Sequence, residues 1–64
     1  MKAIKVKVLR AGQLFKLRDN ENALFWVKGY YDRKTKKYEC YKLDDDNNKI
    51  FLNGTREVFI DDYE

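Results

Sequence analysis

Hydrophobic and polar positions alternate along most of this chain. From residue 2 to residue 8, Ile4, Val6 and Val8 fall on one side and Lys5 and Lys7 on the other, which is the period of a half-buried β-strand. Leu9-Arg10-Ala11-Gly12 breaks the pattern, with Gly12 suited to a positive φ at a turn. Alternation resumes over residues 13–18, where Phe15 and Leu17 oppose Lys16 and Arg18, and a polar loop follows at Asp19-Asn20-Glu21-Asn22.

The rest of the chain is organised around residues 24–43, LFWVKGYYDRKTKKYECYKL. Two runs rich in aromatic and β-branched residues, 24–31 and 38–43, flank Asp32-Arg33-Lys34-Thr35-Lys36-Lys37. A hexapeptide that opens with Asp and carries four cations has to turn at the surface, so the stretch reads as a long β-hairpin. In its first arm Leu24, Trp26, Lys28 and Tyr30 oppose Phe25, Val27, Gly29 and Tyr31. Phe25 and Val27 are expected to face the core, and Trp26 and Tyr30 the outside. In the second arm Glu39, Tyr41 and Leu43 oppose Tyr38, Cys40 and Lys42, and neither side is cleanly apolar. Gly29 inside a strand marks a bulge or a sharp coil.

Asp44-Asp45-Asp46-Asn47-Asn48 is a turn by composition. Its spacing has the look of a calcium loop, but Lys49 stands at the sixth position instead of Gly and Thr55 at the twelfth instead of a bidentate Glu, so no calcium site is expected. Residues 49–52 form a short strand, Asn53-Gly54 a tight turn and residues 57–61 a last strand, with 62–64 a frayed end. Alternation then nominates a core of Ile4, Val6, Val8, Phe15, Leu17, Phe25, Val27, Phe51, Val58 and Ile60.

Six short strands at close spacing, without proline, helical periodicity or internal repeat, describe an all-β antiparallel meander. Two stacked sheets would lack the area to bury each other at 64 residues. The expected fold is therefore a small open SH3-like barrel of five or six strands, with an OB-like barrel as runner-up that usually needs more chain and a helix. Residues 1–64 make one domain, near the lower size limit at which one core offsets the chain entropy lost on folding. Aromatics at 16% supply large buried area per side chain and argue for a folded domain despite 39% charged residues.

Charge adds an asymmetry. Residues 1–43 carry twelve Lys and Arg against four Asp and Glu, a net +8, and residues 44–64 carry two against seven, a net −5. Either the acidic closing strand lies beside the basic first strand and neutralises it, or the surface is bipolar and presents a basic face to an anionic partner.

Chemistry is limited by what is missing. With no histidine and one cysteine, neither a disulfide nor a thiolate zinc site can be built within the chain, and no metal or cofactor is expected. Cys40 reads as a small buried hydrophobe in a reducing, cytoplasmic setting; a reactive thiol would need exposed, electropositive surroundings. There is no serine, the two threonines (Thr35 and Thr55) fall in turns, and the three glycines at 12, 29 and 54 are too scattered for a phosphate loop. A non-enzymatic protein is expected. Lysines at every second or third position near the start leave no apolar segment for export or for membrane spanning.

The run YYDRKTKKYECYKLDDDNNKIFLNGTREVFIDDYE with its preceding LRAGQLFKL resembles short uncharacterised small-β-barrel proteins of gut bacteria and their phages. The likeness covers about residues 9–63 and lies in the order Gly-Gln-x-Phe strand, Tyr-Asp-Arg hairpin, Asp-Asp turn and closing Val-Phe strand. It implies a small barrel and a mobile-element origin, and it transfers no functional residue.

Two binding roles remain. The leading one is a protein-interaction module, either a homodimer or a binder of a host or partner protein, in which an edge strand with exposed aromatics takes a partner. The alternative is single-stranded nucleic acid or RNA, held by a hairpin whose cations track phosphates while its aromatics stack on bases. The candidate residues are Trp26, Lys28, Tyr30, Arg33, Lys34, Lys36, Lys37, Tyr38 and Lys42. Against them stands an ordinary reading, in which several of these aromatics are core, tyrosines pair across the hairpin and turn lysines are solvated cover.

Overall fold

A computed structural model describes residues 2–61; the end expected to fray, 62–64, lies outside them. The described residues form β1 (Lys2–Lys5), one 3₁₀ turn (Val6–Val8), β2 (Leu14–Lys16), β3 (Phe25–Asp32), β4 (Lys37–Lys42), β5 (Asp45–Leu52) and β6 (Glu57–Ile60). All six strands belong to one antiparallel sheet of order β1-β6-β2-β3-β4-β5, which is not closed and has β1 and β5 as its edges.

Connectivity forces this sheet to curl. The link 53–56 leaves β5 at one edge and enters β6 beside the other. Five residue steps reach at most about 17 Å, and four strand spacings of a flat sheet would separate β5 from β6 by roughly 19 Å. The link is not even extended, because Arg56 N–H donates to the Asn53 carbonyl at 3.0 Å. Only a curved sheet brings the two ends within reach.

Beyond Lys5 the chain follows that link, with Val6 N–H donating to Arg56 O and Lys7 N–H to Gly54 O, both at 3.0 Å. It then coils, Leu9 N–H donating to Val6 O at 3.0 Å. This is why the strand expected over residues 2–8 stops at Lys5: the 3₁₀ turn swings Val6 and Leu9 inward and leaves Val8 60% exposed. The turn expected at 44–48 is also tighter. Asp44 takes φ 74°, β5 begins at Asp45, and residues 46–48 stand out of the ladder between the pairs Lys42↔Asp45 and Tyr41↔Lys49.

The central hairpin carries the bulge expected at Gly29. Lys28 pairs with Cys40 and Tyr31 with Tyr38, so Gly29 and Tyr30 together oppose Glu39 alone. Glycine is required sterically here, since a Cβ at position 29 would lie 2.6 Å from the Glu39 carbonyl oxygen and 2.9 Å from the Tyr41 ring.

Val6, Leu9, Phe15, Cys40, Leu52 and Val58 are buried at the centre, with Ile4, Leu17, Trp26, Tyr38, Ile50 and Ile60 packed against them. In the first arm the faces before the bulge are therefore the reverse of those expected, whereas Tyr30, expected outside, is 77% exposed. Trp26 faces the core opposite Phe15, while Phe25, Val27 and Phe51 belong to the outer face. Phe25-Trp26-Val27 is apolar on both sides, and what decides between them is the register with β2 and β4.

Gly29→Ala should lower stability by about 1–3 kcal/mol, because the atom in the way is backbone and cannot rotate aside. Thermal unfolding should shift down by roughly 4–8 °C for each kcal/mol. A variant melting with the wild type would show that the Gly29 contact is not tight.

Candidate binding surfaces

The tip of the hairpin is shaped by Asp32. Its carbonyl accepts Lys36 N–H at 2.8 Å and its carboxylate accepts Lys34 N–H at 2.9 Å, while Lys36 takes the left-handed φ of 60° that closes the loop. Arg33, Lys34 and Lys36 project from this loop into solvent, and Lys37 lies half-buried opposite Asp32.

Next to the tip, on the inner side of the sheet, is an open cleft of about 430 Å³. Its walls are Tyr31, Lys36 and Tyr38 from the hairpin, Lys7 from the 3₁₀ turn, and Asn53, Gly54 and Thr55 from the link. The bulge makes this possible: it shifts the alternation by one, so that Tyr31 shares a face with Lys28 and Tyr38. The two tyrosine rings meet edge to face, 5.0 Å apart and at 63°. Gly54 lets the link pass close, for a Cβ there would lie 3.1 Å from the Tyr38 ring and 3.2 Å from Lys7 Cβ. Sequence reading named Lys36 and Tyr38, and placed Tyr31 among the hairpin's aromatics, but missed Lys7, Asn53 and Thr55, which only the curl of the sheet brings to them.

The other candidates are dispersed. Lys28 is buried: its ammonium donates to the Leu9 carbonyl and lies 4.4 Å from the centroid of the Tyr38 ring. It ties the segment after the 3₁₀ turn to the hairpin and is not part of an exposed basic face. Trp26 packs on the core and edges a smaller depression with Leu17, Arg18, Asn22, Ala23 and Leu24. Lys42 sits opposite Trp26 and Asp45, at the far end of β4 from Lys37 and roughly 17 Å along the strand. Lys16 repeats the Lys28 device on the outer face. It too is buried, donating to the carbonyls of Asn20 (3.5 Å) and Glu21 (3.2 Å), with its ammonium 4.7 Å from the Phe25 ring centroid.

Cys40 is fully buried opposite Lys28, its thiol donating weakly to Tyr38 O at 3.8 Å. Burial pushes the Cys40 thiol above 9.0, while Gly29 N–H and the Lys28 charge pull it part of the way back. Burial also draws Lys28 below its ordinary 10.5, and Cys40 opposes that shift.

On the outer face, registers align Leu14, Val27, Tyr41 and Lys49 across four strands. Tyr41 lies over the bare Gly29 and is pushed above its ordinary pKa, first by desolvation and then by the negative charge of the Glu39 carboxylate. Glu39 also pairs with Lys49 at 3.0 Å, and Phe51 lies opposite Glu39. Leu14 is 42% exposed, Phe51 41% and Tyr30 77%. The loop that Lys16 anchors stands over the Phe25 end of this face, and no other described segment anchors on it.

Among the described residues no helix is long and apolar enough to cross a membrane, and no group of three or more His, Cys, Asp or Glu is placed to hold a metal ion. Compared with known proteins, the chain matches no family model, no curated protein and no solved structure.

Lys28 generates a prediction with a defined sign. Lys28→Ala leaves the Leu9 carbonyl without its donor and should cost about 1–3 kcal/mol, whereas Lys28→Met keeps the apolar stem, sheds the buried charge and should cost less. Because the folded pKa lies below 10.5, the unfolded chain binds more protons just under that pH. Wild-type stability relative to Lys28→Met should therefore rise as pH climbs through the folded pKa towards 10.5, and be lower below that window. Cys40 acts oppositely in each protein, its contribution fading above 9.0. Parallel urea melts from neutral to alkaline pH would show this; a gap between the two proteins that does not change with pH would contradict burial of the charge.

Proposed function

We propose that this chain is a non-enzymatic binding module that docks protein through the outer face of its curled sheet, the simplest partner being a second copy. The observation that carries the reading is the row Leu14, Val27 and Tyr41 with Phe51 and Tyr30 beside it, apolar side chains on a sheet face where a folded monomer would place polar ones. Strand-edge pairing has less support. Both edges begin with charge, Lys2 in β1 and Asp45 in β5, and charged edges resist a partner strand.

The finer class we favour for the fold is an SH3-like barrel left open between β1 and β5. A cytoplasmic location suits a free, buried thiol in a chain without a second cysteine. If the likeness to proteins of gut bacteria and their phages reflects descent, a host protein becomes the natural partner of the same face.

Sedimentation over a range of concentrations tests the reading. The wild type should self-associate, and Leu14→Asp with Phe51→Asp should make it monomeric without lowering its melting temperature, since both positions are exposed. A wild type that stays monomeric at millimolar protein, and is no less soluble than the double variant, would remove the outer face as a docking surface.

A further inference from the structure

We infer that the cleft between the hairpin tip and the 53–56 link is a second binding site, one that takes single-stranded nucleic acid by stacking a base on Tyr31 and holding the adjoining phosphate between Lys7 and Lys36. It lies on the inner side of the sheet, so it stands or falls separately from the outer face.

The charge of the lining comes first. Lys7 and Lys36 contribute cations, Asn53 and Thr55 contribute hydrogen-bonding groups, and no carboxylate is among the lining residues. Arg33, Lys34 and Lys37 extend the positive field from the adjacent tip. Asp32, at the base of the tip, is engaged in holding the turn. A neutral or cationic ligand would find nothing to balance these charges.

The aromatic lining is preset. Tyr38 is fixed by core packing, by the Lys28 ammonium 4.4 Å from its centroid and by close contact with the link at Gly54. Tyr38 in turn holds the Tyr31 ring edge to face. Tyr31 is still 49% exposed, so a flat surface is presented to solvent with its orientation already determined. Stacking on a preset ring loses little side-chain entropy, and it is indifferent to base identity because every base has a π-face. The volume of about 430 Å³ falls within the range of ligand sites, roughly 300–1,000 Å³. Its openness suits one unit of a continuing strand better than an enclosed small molecule. A stiff duplex, whose bases are already stacked on one another, offers no free base to Tyr31.

The test is a fluorescence anisotropy titration of the full chain with labelled oligo-dT, oligo-U and a duplex at two salt concentrations. Single strands should bind, more tightly than the duplex and more weakly at higher salt. Tyr31→Ala should weaken binding roughly ten-fold or more with the salt slope unchanged. Lys7→Gln with Lys36→Gln should weaken it and reduce the slope by about 0.7 for each phosphate that is no longer neutralised. The outer-face pair Leu14→Asp and Phe51→Asp should bind the oligonucleotides as the wild type does. Each variant changes an exposed residue, and a thermal melt confirms that it is folded. Absence of binding to both single strands at low salt overturns the proposal. So does binding that ignores the Tyr31 and lysine changes, or duplex binding as tight as single-strand binding, which would mark a generally basic surface. An acidic peptide that binds, sensitive to the same variants, where the oligonucleotides do not would reassign the cleft to a protein ligand and overturn it equally.

Discussion

The two-for-one bulge opposite Glu39 is the constraint on which the rest of this structure depends. Gly29 lets the Glu39 carbonyl approach to a distance that any side chain would forbid, and Tyr41 lies over the space left bare. The extra residue shifts the alternation of β3 by one. Before the bulge Trp26 and Lys28 face inward; after it Tyr31 does, and meets Tyr38. An unbroken ladder would put Tyr30 opposite Tyr38 and turn Tyr31 away from the cleft. A bulge also strengthens local twist, which suits a sheet whose short 53–56 link demands that its ends approach each other.

Lysine works here as a structural residue as well as a surface one. Lys28 and Lys16 each pass an apolar stem along the sheet, set an ammonium against an aromatic ring and donate to carbonyls of irregular segments: Leu9 in one case, Asn20 and Glu21 in the other. None of these carbonyls belongs to a strand; Asn20 O also accepts Ala23 N–H at 2.9 Å, and for Leu9 O and Glu21 O the ammonium supplies the partner. The uneven charge along the chain is also partly absorbed by topology. β6 lies beside β1 with Glu57 opposite Lys5, and Asp45 lies opposite Lys42. Of the remaining cations, Lys7, Arg33, Lys34, Lys36 and Lys37 lie at the hairpin tip and the cleft beside it.

Much of this was legible in sequence. The 24–43 hairpin, its turn after Asp32, the bulge at Gly29, the strands around Phe15 and Val58, and the Asn53-Gly54 turn all follow from alternation and turn chemistry. The misreading of the hairpin faces has one source, which is that alternation says which residues share a face without saying which face is inside. Over Phe25-Trp26-Val27 both faces are apolar, and Lys28, taken as a mark of the outside, is an inward lysine whose charge is met by Leu9 and Tyr38. Val8 left the expected core and Leu9 entered it because a 3₁₀ turn replaced the end of a strand. Lys7, Tyr31, Asn53 and Thr55 could not be recognised as one cleft from any local pattern, since they meet only when the sheet curls.

The register across β3 and β4 is therefore the quantity most worth measuring, by interstrand nuclear Overhauser contacts between backbone protons in solution. The account predicts Lys28 opposite Cys40, Tyr31 opposite Tyr38, and both Gly29 and Tyr30 near Glu39. Contacts placing Gly29 opposite Glu39, Tyr30 opposite Tyr38 and Tyr31 opposite Lys37 would mean an unbroken ladder. They would contradict the inward turn of Tyr31, and with it the cleft.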